Sequence, residues 1–162
     1  MEYIIYFVAS LFVVFAITAL VVFKKVIKSN RSRMARYLGN EVSRAKRAGR
    51  SLGFLLIEID NSVPRGTSEF LPGRTLMVTL FEDAIRNTDM LERTGFRLYS
   101  IILTETNQLE GSLVVKERIK NLAKDKGWGE IKVGLASYPD NGGTAQELID
   151  FATGDGGIQS DR

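Results

Sequence analysis

The chain opens with an unbroken hydrophobic run that differs from everything after it. Residues 3–23 read YIIYFVASLFVVFAITALVVF and contain no charged side chain. A helix rises about 1.5 Å per residue, so this run spans about 30 Å, the thickness of a bilayer core. The pattern predicts an uncleaved transmembrane helix. The alternative, a cleaved signal peptide, needs a basic segment before a shorter apolar run, and here only Glu2 precedes it.

Beyond this run, apolar residues recur first with the period of a helix and then as a buried strand. Residues 29–50 carry a narrow apolar stripe, which predicts a helix that continues from the membrane segment and ends at Gly49. The stripe consists of Met34, Leu38, Val42 and Ala45. Residues 52–59, LGFLLIEI, are almost continuously apolar, as in a central strand that is covered on both faces.

The rest of the chain alternates between short elements and turns. The pattern predicts a loop over 60–72, a helix over 73–87, a hairpin over 90–103, a helix over 109–126, a strand over 130–137 and a helix over 144–152. Thr144 and Glu147 have the spacing of a capping box at the start of the last helix. The final residues, 153–162, are expected to fray. This order predicts an α/β fold with one mainly antiparallel sheet flanked by helices.

Charge is distributed unevenly along the chain. The net charge is +3, yet residues 24–50 hold ten basic residues and one acid, Glu41, whereas residues 51–162 hold twelve basic and seventeen acidic residues. A basic flank directly after an apolar run places the remainder in the cytoplasm and attracts anionic lipid headgroups. The acidic balance of the remainder argues against binding to nucleic acid.

These features predict a single-pass protein of the inner (cytoplasmic) membrane in three parts. Residues 1–25 form the anchor, residues 26–50 a basic juxtamembrane helix, and residues 51–162 a cytoplasmic domain. The chain has no cysteine and no histidine. It therefore lacks disulfides, thiolate chemistry, imidazole bases and the usual zinc ligands, and any catalysis would depend on carboxylates, lysine, serine or a carboxylate-bound metal.

Four stretches carry a resemblance to a known family. They are EVSRAKRAGRSLGFLLIEID at 41–60, DMLERTGFRLYSIILTET at 89–106, VKERIKNLA at 115–123 and KVGLASYPDNGGTAQELIDFA at 132–152. In this order and spacing they resemble the GGDEF domain, the diguanylate cyclase fold, over about residues 34–152. Active members join two GTP molecules into cyclic di-GMP, with Mg²⁺ held at carboxylates to neutralise phosphate charge.

The same resemblance implies that the catalytic chemistry is lost. The family signature of two glycines, two acids and an aromatic residue falls on Gly95, Phe96, Arg97, Leu98 and Tyr99. Arg97 puts a cation where the metal needs an anion, and Leu98 cannot coordinate. The metal ligand of the first strand, normally Asp, is Glu58. The loop after it is shorter than in the family. The closing helix is predicted to break at 153–154. We expect no enzyme activity, no cofactor and no bound metal.

One feature of the family is retained just before the hairpin. Arg86 and Asp89 form an Arg-x-x-Asp at the position where many active cyclases bind cyclic di-GMP as an inhibitor. The resemblance implies that Arg86 pairs with guanine O6 and N7, that Asp89 accepts from the guanine N–H groups, and that Arg93 faces a phosphate. The alternative is structural: an arginine near a helix C-terminus and an ordinary surface pair.

Two acids and one aromatic residue also have open interpretations. Glu58 and Asp60 are either a remnant of a metal or nucleotide site or solvated acids at a strand end, and the second is favoured. Trp128 is expected to be a partly buried anchor rather than a stacking platform.

Two functions remain after this reasoning. The first is a membrane-anchored, inactive GGDEF-like receptor that binds cyclic di-GMP at Arg86, Asp89 and Arg93 and acts on a protein partner or a second copy of itself. The second is a docking or dimerisation module that binds no nucleotide. An active cyclase is the weakest alternative because of Arg97 and Leu98.

Overall fold

The computed structural model describes residues 2–59, 76–95, 97–106, 108–128 and 131–158. Its elements are α1 (Glu2–Ala48), β1 (Ser51–Glu58), α2 (Leu76–Ala84), β2 (Met90–Gly95), β3 (Leu98–Thr106), α3 (Gln108–Asp125), β4 (Lys132–Tyr138) and α4 (Ala145–Asp155). The predicted order of elements is confirmed. The predicted loop over 60–72 and its acid Asp60 lie outside the described residues.

The described strands form one antiparallel sheet in the order β2-β3-β1-β4. Strand β1 is central and pairs with β3 on one side and β4 on the other. Its residues 52–57 are all buried, because both faces of a central strand in such a sheet are covered by helices. The predicted α/β class with a mainly antiparallel sheet is confirmed.

Each face of the sheet carries a hydrophobic core of its own. Helices α2 and α3 cover one face with a cluster that includes Phe81, Tyr99, Ile119 and Trp128. Helices α1 and α4 cover the other with the predicted stripe of Met34, Leu38, Val42 and Ala45, joined by Leu148 and Ala152. The second half of α1 is thus part of the domain's core, and Trp128 is the buried anchor that its sequence context indicated, 4 % exposed and edge-on to Phe81.

Helix α1 runs without interruption from the hydrophobic run into the domain. It is the one helix among the described residues that is long and apolar enough to cross a membrane, with a mean hydropathy of 2.2 over a window of which 0 % is buried. Large apolar side chains such as Phe7, Phe12 and Phe15 are about 70 % exposed. Exposure on this scale indicates a contact with lipid or another apolar partner.

Two predicted helix ends are confirmed in atomic detail. Gly49 has a φ of +63°, and the Arg50 N–H donates to the Ala45 carbonyl at 3.0 Å, as in a Schellman motif. At the start of α4 the Thr144 side chain accepts from the Glu147 N–H, and the Glu147 carboxylate accepts from the Thr144 N–H. This capping box satisfies two N–H groups that the helix itself leaves free.

The predicted fraying of the last residues is wrong for 153–158. Helix α4 continues through the Thr153–Gly154 pair to Asp155, and Ile158 is 6 % exposed in the core. The reason is a tertiary contact: α4 lies so close to β4 that a Cβ on Gly134 would be 1.7 Å from the Ala152 carbonyl oxygen. Residues 159–162 lie outside the described residues.

Candidate functional site

A tight turn connects α2 to β2 and contains the Arg-x-x-Asp pair. The Asp89 N–H donates to the Arg86 carbonyl at 3.0 Å, and the Arg86 N–H donates to Asp89 Oδ2 at 2.9 Å. A side-chain oxygen that takes a backbone N–H competes with the helix for it. The apolar pattern predicts that this helix continues to Asn87. The bond to Asp89 explains why α2 ends at Ala84 instead.

Asp89 also ties this turn to β3. Its Oδ1 accepts from the Thr104 N–H at 3.0 Å, and the Thr104 hydroxyl donates to the Thr88 carbonyl at 3.2 Å. Both carboxylate oxygens are therefore held by backbone N–H groups. The Thr104 hydroxyl is a second, longer partner of Oδ1 at 3.5 Å, and Oδ2 retains an acceptor position. Asp89 contacts Arg86 through the Arg86 backbone N–H. The structure therefore does not show the surface pair of side chains that was one interpretation of the sequence.

Arg86 and Asp89 line a cleft of about 450 Å³ between this turn, β3 and α3. Pockets for small ligands have volumes of about 300–1,000 Å³. The opposite wall is α3, where Glu110, Val114 and Arg118 lie on one helical face. The Arg118 guanidinium donates from Nη1 to the Ala84 carbonyl at 3.0 Å, which holds it at the end of α2.

Sequence reasoning missed the contribution of α3 to this cleft. The i, i+4, i+8 spacing of Glu110, Val114 and Arg118 places them on a common face, but only the packing of α3 beside α2 brings that face to Arg86. The cleft thus joins two guanidinium side chains and two carboxylates.

The structure places Arg93 elsewhere. Its carbonyl accepts from the Asn30 side-chain amide at 3.2 Å, and its Nε donates to the Gly95 carbonyl at 3.2 Å. Its guanidinium lies 5.5 Å from the ring centroid of Phe23 and 6.0 Å from that of Tyr99. Arg93 therefore faces the end of the hydrophobic run of α1, and it is not among the residues that line the cleft.

The hairpin turn between β2 and β3 has no acidic side chain, since residues 95–98 are Gly, Phe, Arg and Leu. Gly95 pairs with Leu98 across the turn, while Phe96 lies outside the described residues. Arg97 is only 5 % exposed and has a φ of +61°, and its carbonyl accepts from the Ile59 N–H at 3.0 Å. The turn therefore holds a buried cation.

Glu58, the last residue of β1, is engaged by a neighbouring cation. In the sheet it lies between Leu98 on β3 and Lys132 on β4, and Lys132 Nζ is 3.0 Å from Glu58 Oε2. Among the described residues, no group of carboxylates that could supply the several oxygen ligands of a divalent cation lies around Glu58.

Comparison with known proteins identifies the fold. No family model and no curated protein matches the chain. Among solved structures, the GGDEF domain of TpbB (YfiN) from Pseudomonas aeruginosa is 19% identical, with a TM-score of 0.62 over 83% of this chain and 88% of that chain. The GGDEF domain of DgcB from Caulobacter crescentus, in complex with c-di-GMP, is 12% identical, with a TM-score of 0.59 over 77% of this chain and 81% of that chain.

A third structure is similar over more of the chain. It is the diguanylate cyclase SiaD of Pseudomonas aeruginosa in complex with its activator SiaC, at 14% identity and a TM-score of 0.60 over 91% of this chain and 64% of that chain. At these identities the likeness shows the fold. The chain therefore has a GGDEF-like fold, as the four sequence stretches indicated.

Proposed function

We propose that this chain is a membrane-anchored, catalytically inactive GGDEF-like protein that binds cyclic di-GMP and passes that state to a protein partner. One observation carries the proposal: the retained Arg-x-x-Asp opens into a cleft of about 450 Å³ that also contains Arg118. A neighbour of the same fold is described in complex with c-di-GMP.

The cleft supplies the groups that a guanine nucleotide needs. The Arg86 side chain is exposed, so its planar fork can take guanine O6 and N7. Asp89 is held in one orientation by two N–H groups, and the acceptor position that remains on Oδ2 can take a guanine N–H. Arg118, on the other wall, takes a phosphate in place of Arg93, since charge-assisted bonds to phosphate are strong.

The absence of cyclase activity is supported by the state of the catalytic turn. Its positions carry the buried cation Arg97 and the apolar Leu98, and Glu58 is paired with Lys132. Purified protein with GTP and Mg²⁺ should form no cyclic di-GMP above the blank. Acids introduced together at Arg97 and Leu98 should not restore activity. Turnover by the unaltered chain would refute this part of the proposal.

Membrane anchoring is supported by the exposed apolar surface of α1 and by the basic residues that follow it. The domain then lies in the cytoplasm, where a soluble nucleotide reaches it. A C-terminal reporter that is active only outside the cytoplasm should stay silent in cells. Strong reporter activity would reverse the orientation.

The test of nucleotide binding is calorimetry on the full chain in detergent micelles. Wild type should bind cyclic di-GMP, and Arg86→Ala should weaken binding by about 1–3 kcal/mol, or about ten- to a hundredfold, because the guanine fork is lost. Arg86→Lys keeps the charge but not the fork and should also bind weakly. Arg47→Ala, at an exposed arginine near the end of α1, is the matched control and should bind as wild type does. No binding at micromolar ligand would end the receptor proposal.

A docking module without a nucleotide is the second candidate, because α3 exposes apolar side chains. Leu109, Leu113 and Val114 are 37%, 42% and 58% exposed. SiaD, a neighbour of the same fold, is described with a protein activator. Val114 also borders the cleft, so a ligand there would alter this same surface. Wild type that binds no nucleotide, but whose oligomeric state changes in Leu113→Glu, would favour docking.

A further inference from the structure

The contacts between α1 and the domain follow a consistent direction. Thr88 borders a cavity together with the C-terminal part of α1, residues 37–48. Further along β2, Glu92 forms an ion pair with Arg33, and the Arg93 carbonyl accepts from Asn30. Strand β2 therefore runs antiparallel to α1, and its C-terminal end, at the hairpin turn, lies nearest the hydrophobic run.

The end of β2 reaches the level at which the hydrophobic run stops. Asn30 lies about 10 Å along the helix axis from Phe23, at 1.5 Å per residue. The Arg93 side chain covers that distance, since its guanidinium is 5.5 Å from the Phe23 ring. The polar headgroup layer of a bilayer is about 5–8 Å thick on each side of the hydrocarbon core. A guanidinium beside Phe23 is therefore within that layer when residues 3–23 span the core.

The surroundings of this guanidinium suit anionic lipid. The part of α1 that directly follows the hydrophobic run carries four exposed cations, Lys24, Lys25, Lys28 and Arg31. An arginine that rests on aromatic rings while its charged end is at the interface is a common membrane-surface arrangement.

Resting on the membrane anchoring proposed above, we propose that Arg93 binds the phosphate of anionic lipid headgroups and that the β2–β3 turn lies against the bilayer. The fold then has two ends. The turn that carries the catalytic signature in the family is directed to the membrane, and the Arg86 cleft at the start of β2 is directed to the cytoplasm. Strand β2 separates them by about 20 Å, at about 3.3 Å per residue.

The depth of the turn can be measured directly because the chain has no cysteine. Single variants Arg93→Cys, Asn87→Cys and Phe12→Cys carry one fluorophore each, in the full chain reconstituted into vesicles of phosphatidylcholine and phosphatidylglycerol. Position 12 should be quenched by nitroxides in the acyl chains. Position 93, near the turn, should be quenched by headgroup nitroxides at least about threefold more than position 87, which lies at the other end of β2.

The possible outcomes separate the two proposals. If position 12 is not quenched, the anchoring fails and the lipid contact fails with it. If position 12 is quenched but positions 93 and 87 respond equally, the anchoring stands and the membrane orientation of the turn is overturned.

The role of Arg93 is tested by the effect of lipid on unfolding, followed through the buried Trp128. The cations directly after the hydrophobic run, Lys24, Lys25 and Lys28, stay near the lipid when the domain unfolds, because residues 3–23 remain in the bilayer. If phosphatidylglycerol is added to phosphatidylcholine vesicles and the Tm rises, the anionic lipid therefore binds groups that reach the membrane surface only in the folded domain. Arg93→Gln should lose this rise, and Arg93→Lys should keep it.

Arg47→Gln is the matched control for this measurement. Arg47 is exposed and lies about 36 Å along α1 from Phe23, several times the Debye length of about 8 Å at physiological salt. It should keep the full rise in Tm. A rise in Arg93→Gln equal to that of wild type would overturn the lipid contact.

Discussion

Removing the Asp89 carboxylate should destabilise the domain, even though the residue sits in a surface turn. Asp89→Ala deletes the acceptors of the Arg86 N–H at 2.9 Å and of the Thr104 N–H at 3.0 Å. A typical hydrogen bond contributes about 0.5–1.5 kcal/mol, and a hydrogen bond to a charged group about 1.5–3 kcal/mol. The bond to Arg86 is exposed, so we give it the first range, and the bond to Thr104 is partly buried and takes the second; together we expect a loss of about 2–4.5 kcal/mol.

A loss of this size is readily measured by denaturant unfolding of the full chain, with the fluorescence of Trp128 as the signal. Asp89→Asn keeps one oxygen acceptor and should lose about half as much. Arg86→Ala is the control, because an exposed side chain should change the free energy of unfolding by no more than about 0.5 kcal/mol. If Asp89→Ala is as stable as Arg86→Ala, the carboxylate does not hold the turn and the reasoning fails.

This difference decides how binding data are interpreted. From sequence alone, both residues of the motif would be exposed and neutral for stability. The structure keeps this expectation for Arg86 and corrects it for Asp89, which is only partly exposed and bonded twice to backbone. Weaker nucleotide binding by Arg86→Ala therefore reports a lost contact, whereas weaker binding by Asp89→Ala also reports a disordered turn.

Two further predictions concern α4. Burial alone would raise the pKa of Asp155, but the hydrogen bonds from Lys116 and the Leu135 N–H, with the nearby lysine charges, lower it overall. The ionised Asp155 therefore stabilises the fold above the unfolded pKa of about 3.9, and this contribution is lost as pH falls through the lower folded pKa. In Asp155→Asn the free energy of unfolding should fall less steeply at acid pH than in wild type. An unchanged acid limb would contradict this. Gly134→Ala should destabilise by at least about 1–3 kcal/mol in thermal unfolding, because its Cβ would overlap the Ala152 carbonyl; a wild-type Tm would show that α4 does not lie this close to β4.

Local pattern was sufficient for most of the fold. The apolar run of 52–57 predicts the central strand because a sheet covered on both faces tolerates no polar side chain there. The stripe from Met34 to Ala45 predicts the buried face of α1, and Thr144 with Glu147 predicts the start of α4, because both depend on neighbours within two turns of helix. The Arg-x-x-Asp pair and the altered signature at 95–99 are likewise visible in the sequence.

What the sequence could not determine depends on contacts between distant segments. Helix α4 passes through Thr153 and Gly154 because β4 presents Gly134 to it, which a propensity rule for single residues does not contain. Arg118 joins the cleft only because α3 packs beside α2. Arg93 follows the Arg-x-x-Asp pair closely in sequence, yet an extended strand carries its side chain to Phe23. Residue type and spacing determined which side chains carry a positive charge, and the course of β2 along α1 determined where in the fold each of them lies.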